Sequence, residues 1–441
     1  MGPPIENVET DAALPPRADV VIIGGGIIGI SAALHLARQG VSVLLCEKGE
    51  LACEQSSRNW GWVRKTARDL REVPLVIESL RLWRGLEQDG IATGFRRCGV
   101  LYVVESDADQ ERFARWLDKV RPFQMDSRMV EGEELAALLP GAARRFRAGL
   151  YTASDGRAEP QRAVPAIAAA ARQAGAVIVT RCAVRGLDLT GGRVRGVVTE
   201  RGLVACEAVI LATGAWSRLF CGSLGLRLPQ LKVRASVLRT EPIEGGPESC
   251  AWLGRFAYRK RADGGYTIAN GRSNVVPVVP DTFRFFSEFL PAAREERRGL
   301  RLRLDDRFLA EAMTPKRWAL DRPSPFERDR MLDPAPVAAI NRAAAEAIAE
   351  VFPVFRGMRI AQQWAGLIDV TPDAVPVISG VDAVPGLTIA TGFSGHGFGI
   401  GPAAGRLAAE LATGARPLVD PAPFRFSRFT DGSPITLQSA L

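Results

Sequence analysis

Short β-branched runs alternate with helical patterns along this chain. Val20 to Ile23 is one such run, and Gly24 to Gly26 and Gly29 follow it. From Ile30 to Gln39 the spacing is helical, with Ala32, Ala33, Leu36 and Ala37 able to pack on a sheet, and Gly40 stops it. Val41 to Cys46 is a second apolar strand ending at Glu47. Strand, tight turn, helix and strand in about 30 residues make a βαβ unit. Later stretches repeat the mixture: a helix over 162–173, a strand over 176–180, a hairpin at Gly191-Gly192, a strand over 208–212, a strand over 387–390 and a helix over 402–411.

The intervening pieces read differently. Residues 99–104 and 231–239 predict strands, and Gly264-Gly265 predicts a hairpin between 258–261 and 266–269. Residues 287–306 predict an arginine-rich helix. The expected fold class is α/β: a Rossmann-like dinucleotide domain built from 17–95, 150–228 and 361–429. A second, largely antiparallel β (α+β) substrate domain uses 96–149 and 229–360, with the arginine-rich insertion near 273–330. Residues 1–16 and 430–441 are tails.

Composition narrows the function classes. The chain has 441 residues, 47% apolar and 24% charged, which excludes long disorder and fibrous folds. No apolar run reaches the roughly 20 residues of a membrane span. The net charge of +8 comes almost wholly from scattered arginine and forms no stripe, so no nucleic-acid partner is expected. Seven cysteines, an odd number without a C-x-x-C, suit a reducing compartment rather than a disulfide framework or zinc site. Residues 1–17 lack a leader pattern, and a cytoplasmic location is expected. Only two histidines occur, His35 and His396; no metal site is expected, and His35 reads as a packing residue.

Gly24-x-Gly26-x-x-Gly29 follows a strand and opens a helix. Its glycines permit the tight turn, the approach of backbone to a pyrophosphate and close helix–strand packing. Glu47 can accept bonds from both adenosine ribose hydroxyls, and Lys48 either reaches the phosphate or is solvated. The motif alone does not separate NAD from FAD. Three further stretches favour FAD: Ser56-Ser57-Arg58-Asn59-x-Gly61, Ala212-Thr213-Gly214-Ala215-Trp216, and the glycine-rich run from Gly392 to Gly401. The residues expected to hold it are Gly24, Gly26, Ile28, Gly29, Glu47, Lys48, Ser56, Ser57, Arg58, Asn59, Gly61, Val184, Thr213, Gly214, Trp216, Gly366, Gly395, His396, Gly397, Phe398, Gly399 and Ile400.

The order of these elements, with Asp155-Gly156, Pro160, Trp364-x-Gly366 and Thr371-Pro372-Asp373, resembles the D-amino-acid oxidase superfamily of FAD-dependent amine and amino-acid oxidoreductases. A closer resemblance is to bacterial membrane-associated L-amino-acid deaminases. It rests on Cys182-Ala183-Val184-Arg185-Gly186, Trp216-Ser217-Arg218-Leu219-Phe220, Pro315-x-x-Trp318-x-Leu320-Asp321, Pro325-Phe326-Glu327, Phe352-Pro353-Val354-Phe355, Gly401-Pro402-Ala403-Ala404-Gly405, and Asp420-Pro421-x-Pro423-Phe424 with Arg428-Phe429. Trp62 falls near a position where those deaminases place a polar side chain, so their substrate preference does not transfer. No cysteine follows Cys250, so noncovalent FAD is expected.

The resemblance implies hydride transfer from an amine-bearing carbon to flavin N5, then hydrolysis of the imine to a 2-oxo acid and ammonia. O2 or a respiratory carrier would take the electrons. Oxidation of a secondary, N-methylated or cyclic amino acid, or service as a partner-dependent flavoprotein subunit, are the alternatives. Arg259 stands where the deaminases carry their carboxylate-binding arginine; Tyr258 would close over the substrate, and Arg64 is a second anion-site candidate. His396 either bonds the cofactor or shapes the pocket, and Trp364 either walls it or belongs to the core. Phe283, Phe285, Phe286, Phe289 and Leu290 precede Arg294, Arg297, Arg298, Arg301 and Arg303. This segment reads either as an amphipathic cover over the β domain or as a peripheral contact with the inner face of the cell membrane.

Overall fold

A computed structural model describes residues 2–295 and 299–437. Its first sheet has six strands in the order 377–380, 387–391, 208–211, 20–23, 43–46 and 177–179, all parallel except the antiparallel edge strand 377–380. The central strands Val20–Ile23, Val43–Cys46 and Ala208–Leu211 are buried at every position. That explains why they read as unbroken apolar runs: both faces of a parallel sheet are covered. The helices Ile27–Arg38, Pro160–Gln173, Val73–Gln88 and Gly397–Thr413 pack together in the core that covers one face. Burial of each large aliphatic side chain there contributes about 1.5–3 kcal/mol.

The second sheet has ten strands and carries the antiparallel hairpin of Phe256–Lys260 with Tyr266–Asn270. Its long pair is Leu231–Thr240 with Ile360–Val370. Val100–Val103 lies parallel to Cys250–Trp252, so Tyr102 and Trp252 stand side by side. The Gly191-Gly192 turn joins two strands of a separate three-stranded sheet.

Two elements differ from the sequence expectation. The helix expected over 287–306 is a helix only over Phe286–Glu295; Leu300–Arg303 is a strand paired in parallel with Asn274–Pro277. The alternation of leucine and arginine from 300 to 303 has period two, which a strand satisfies and a helix does not. Arg297 and Arg298 lie outside the described residues. The last long helix begins at Gly397, five residues earlier than expected, and runs through Pro402.

The glycine turn is fixed by backbone contact. Gly24 has φ +112°, and a Cβ on Gly29 would overlap the Gly24 carbonyl oxygen. Backbone on backbone leaves no flexible end to yield. Gly29→Ala should therefore cost on the order of 2 kcal/mol and reduce retained flavin, read by thermal unfolding and the flavin-to-protein absorbance ratio. An unchanged melt and ratio would contradict this packing.

Candidate active site

A cavity of about 1040 Å³ begins at the carboxyl ends of the parallel strands, at Ile23, Cys46 and Ala212, and runs to the wall of the ten-stranded sheet. This is the crevice where doubly wound sheets take dinucleotides. Gly24, Gly26, Ile28, Glu47, Lys48, Ser56, Arg58, Asn59, Val184, Thr213, Gly214, Trp216, Gly366, Gly395, His396, Gly397, Phe398 and Gly399 line it. The first helix points its N-terminus here with no acidic residue in its opening turn, as a phosphate requires. Ser56 Oγ accepts from Ile27 N at 2.9 Å. Both carboxylate oxygens of Glu47 are pinned, by Gly25 N and Gly49 N at 2.7 Å each. Burial pushes this carboxyl up, while the Lys48 charge and those two N–H groups pull the other way. Lys48 itself lies over the Trp216 ring at 4.1 Å and donates to the Asp329 carbonyl at 2.8 Å.

The far end is closed by the turn from Gly392 to His396. Gly392, Ser394 and Gly395 all have positive φ. Asp369 ties this turn to the strand Ile360–Val370: its carboxylate accepts from Gly392 N at 2.7 Å and from Thr391 Oγ1 and Gln230 Nε2 at 3.1 Å. Burial raises its pKa to about 6. Gly399 brings backbone against backbone, since a Cβ there would lie 3.0 Å from the Trp62 carbonyl oxygen. An acid pinned for a ribose diol, an open helix N-terminus and a glycine floor fit a flavin dinucleotide.

Several expected site residues stand elsewhere. Arg259 and Tyr258 are each 1% exposed and do not line the cavity. The Arg259 Nη1 pairs with Glu159 at 2.7 Å and its Nε donates to the Trp60 carbonyl, while its buried Nη2 has no hydrogen-bond partner among the described residues. Gly61 makes room for that guanidinium and does not line the cavity. Trp364 is core: its Nε1 donates to the Arg58 carbonyl at 3.0 Å. Ser57, Gly29 and Ile400 also lie behind the lining.

The cavity's own cations are closer to the glycine floor. Arg64 lies 5.3 Å from the Tyr102 ring centroid and donates to the Thr66 carbonyl. Arg68 is 3% exposed, and its Nη1 has no hydrogen-bond partner among the described residues. Burial and the Arg64 charge lower its pKa to about 9, so it stays a cation at neutral pH. Glu72 stands 3.9 Å from Arg68 and 3.3 Å from His396 Nδ1. Burial first, then the Arg68 charge, pulls His396 down to about 4. Arg68 also feels the buried Asp155 carboxylate, so Glu72 is not its only counter-charge, yet its Nη1 is left without a hydrogen bond. Beside it stand four rings that line the cavity. Trp60 and Trp62 are 5.4 Å apart, Trp62 and Tyr102 6.0 Å, and Tyr102 and Trp252 5.6 Å. Arg68, Tyr102, Trp252 and Asp369 have no sequence signature, because they converge on the cavity only through sheet pairing and the loop after Trp62.

Fold and site together define a flavin-dinucleotide oxidoreductase. The chain belongs to the FAD dependent oxidoreductase family, whose pattern matches residues 19–411. It is 34% identical to L-amino acid deaminase from Proteus myxofaciens, solved in complex with anthranilate, with a TM-score of 0.92 over 97% of this chain and 96% of that one. L-amino acid deaminase from Proteus vulgaris gives 32% and 0.92 over 96% and 100%. Glycine oxidase of Pseudomonas aeruginosa is 28% identical over 92% of this chain and 97% of its own. The protein is an FAD-dependent oxidoreductase, and its homologues support amino-acid oxidation as the reaction class.

The depressed His396 has a thermodynamic consequence. Between pH 4 and 6.5 the unfolded chain binds more protons at this position than the folded one, so its contribution to stability falls as pH drops through that window. Denaturant unfolding at pH 7 and pH 5 should show wild type losing on the order of 1 kcal/mol more than His396→Asn; an equal pH response would contradict the neutral imidazole.

Proposed function

We propose that the protein deaminates an amino acid, with Arg64 and Arg68 holding its carboxylate and the rings of Trp60, Trp62, Tyr102 and Trp252 enclosing its side chain. The observation that carries this reading is the buried Arg68 Nη1, left without a hydrogen-bond partner among the described residues beside the aromatic wall. A bound carboxylate would accept from it, and the planar forks of the arginines match that group. When bound, FAD accepts the hydride lost by the amine-bearing carbon, and the imine takes up water to give a 2-oxo acid and ammonia. The chain's residues supply anchoring, orientation and exclusion of water, which together hold the reacting carbon in place.

Arg64→Met should raise KM for amino acids by the equivalent of about 2–5 kcal/mol, the usual cost of leaving a buried charge unpaired. Arg259→Met should lower stability and leave KM nearly unchanged. Anaerobic bleaching of the yellow protein by a panel of D- and L-amino acids and secondary amines reads the substrate directly. Bleaching by primary amino acids supports deamination. Bleaching by N-methylated or cyclic ones alone would replace it with secondary-amine oxidation.

We also propose peripheral contact with an anionic membrane through the 283–313 segment. No helix among the described residues is long and apolar enough to span a bilayer. Yet Phe283, Phe286, Leu302, Leu304, Leu309 and Met313 are each at least 60% exposed, beside the exposed Arg284, Arg294, Arg301 and Arg303. Phe285, grouped with them by sequence, is instead fully buried and faces Arg218 and Arg227. Apolar rings beside cations suit an interface of anionic lipid. The protein should sediment with phosphatidylglycerol-containing vesicles and not with phosphatidylcholine alone, and Phe283→Ser with Phe286→Ser should abolish this. Equal sedimentation of the double variant would refute the contact.

A further inference from the structure

Glu72 is the carboxylate that faces Arg68 and His396. It stands just before the helix Val73–Gln88, is fully buried, and neither oxygen has a hydrogen-bond partner among the described residues. Two groups face it: Arg68 Nη1 at 3.9 Å and His396 Nδ1 at 3.3 Å. Contact with His396, then the Arg68 and Arg64 charges, hold the Glu72 carboxyl below its ordinary value against the effect of burial, so it is an anion at neutral pH. The neighbouring Arg71 is engaged with Asp69 and Asp373 instead.

His396 presents its two nitrogens to different surroundings. Nδ1 is buried 3.3 Å from Glu72 with no formed hydrogen bond, while 17% of the side chain remains exposed and the residue lines the cavity. Nε2 has no protein partner among the described residues. A neutral imidazole carries one proton, and an adjacent carboxylate draws it to the nearer nitrogen. A carboxylate behind an imidazole is a recurrent way to select one tautomer.

We propose that Glu72 is a positioning residue: it holds His396 as the Nδ1–H tautomer, so that an unprotonated Nε2 faces the cavity as a hydrogen-bond acceptor for the substrate's amine. A carboxylate bound to Arg64 and Arg68 and an amine N–H donated to Nε2 fix the amino acid at two points. The substrate's part in this rests on the amino-acid reading of the cavity. The tautomer itself does not.

The chain makes the test direct, because only His35 and His396 contribute imidazole signals. Long-range 15N–1H correlation spectra of the oxidised holoenzyme, labelled with 15N-histidine, are recorded at pH 7, with His396→Asn assigning the pair. Wild-type His396 should show a protonated Nδ1 and a bare Nε2. In Glu72→Gln the amide oxygen turns to Arg68 and the amide N–H to Nδ1, so the proton should move to Nε2; Glu72→Asp should restore the wild-type pattern. A wild-type Nε2–H spectrum, or a Glu72→Gln spectrum identical to wild type, overturns the proposal. If Glu72→Gln does not fold, the wild-type spectrum decides alone. These outcomes are independent of flavin bleaching: a wrong tautomer leaves deamination standing, and a failed substrate panel leaves the tautomer standing.

Discussion

The contact between the Gly24 carbonyl and the backbone of Gly29 is the constraint on which the rest depends. It lets the first helix start hard against the end of its strand, so that free N–H groups and the positive end of the helix dipole open into the crevice. The same closeness aligns Glu47, at the end of the next strand, with the crevice floor. At the opposite end, the Asp369 carboxylate clamps the turn from Gly392 and sets the start of the last long helix against the cavity. Two backbone turns, each held by contacts with no slack, thus define the length of ligand the crevice takes.

Electrostatics then divides the cavity. The dinucleotide end is built from backbone donors and one pinned acid. The far end sets Arg64 and Arg68 against aromatic faces. A guanidinium N–H buried without a partner is costly when the site is empty, because it loses its hydration. In the proposed complex a ligand carboxylate takes that N–H. His396, kept neutral, adds no charge there.

Much of this was legible in the sequence where function is written locally. The glycine turn, Glu47, the segment around Ser56 to Asn59 and the run from Gly395 to Gly399 are short stretches whose spacing itself dictates geometry. Residues whose role depends on distant partners were not legible. Arg259 stands in a suggestive position, and Glu159, a hundred residues earlier, pairs with its Nη1 in a contact no local pattern announces. Trp364 reads as a wall, but the strand register turns it into the core beside Val237 and Ala269. Arg68 is one arginine among many until the fold sets it beside Arg64, Glu72 and the imidazole. Leu300–Arg303 was misread because composition suggested a helix where the alternation already indicated a strand.

The account stands most directly on where a carboxylate binds. A crystal structure of the yellow holoprotein soaked with benzoate, which carries a carboxylate but no oxidisable amine, decides this. The account predicts density for the carboxylate between the guanidinium groups of Arg64 and Arg68, with its ring among Trp60, Trp62, Tyr102 and Trp252. A carboxylate seated on Arg259 with Glu159 displaced, or a crevice filled by a nicotinamide dinucleotide, would contradict it.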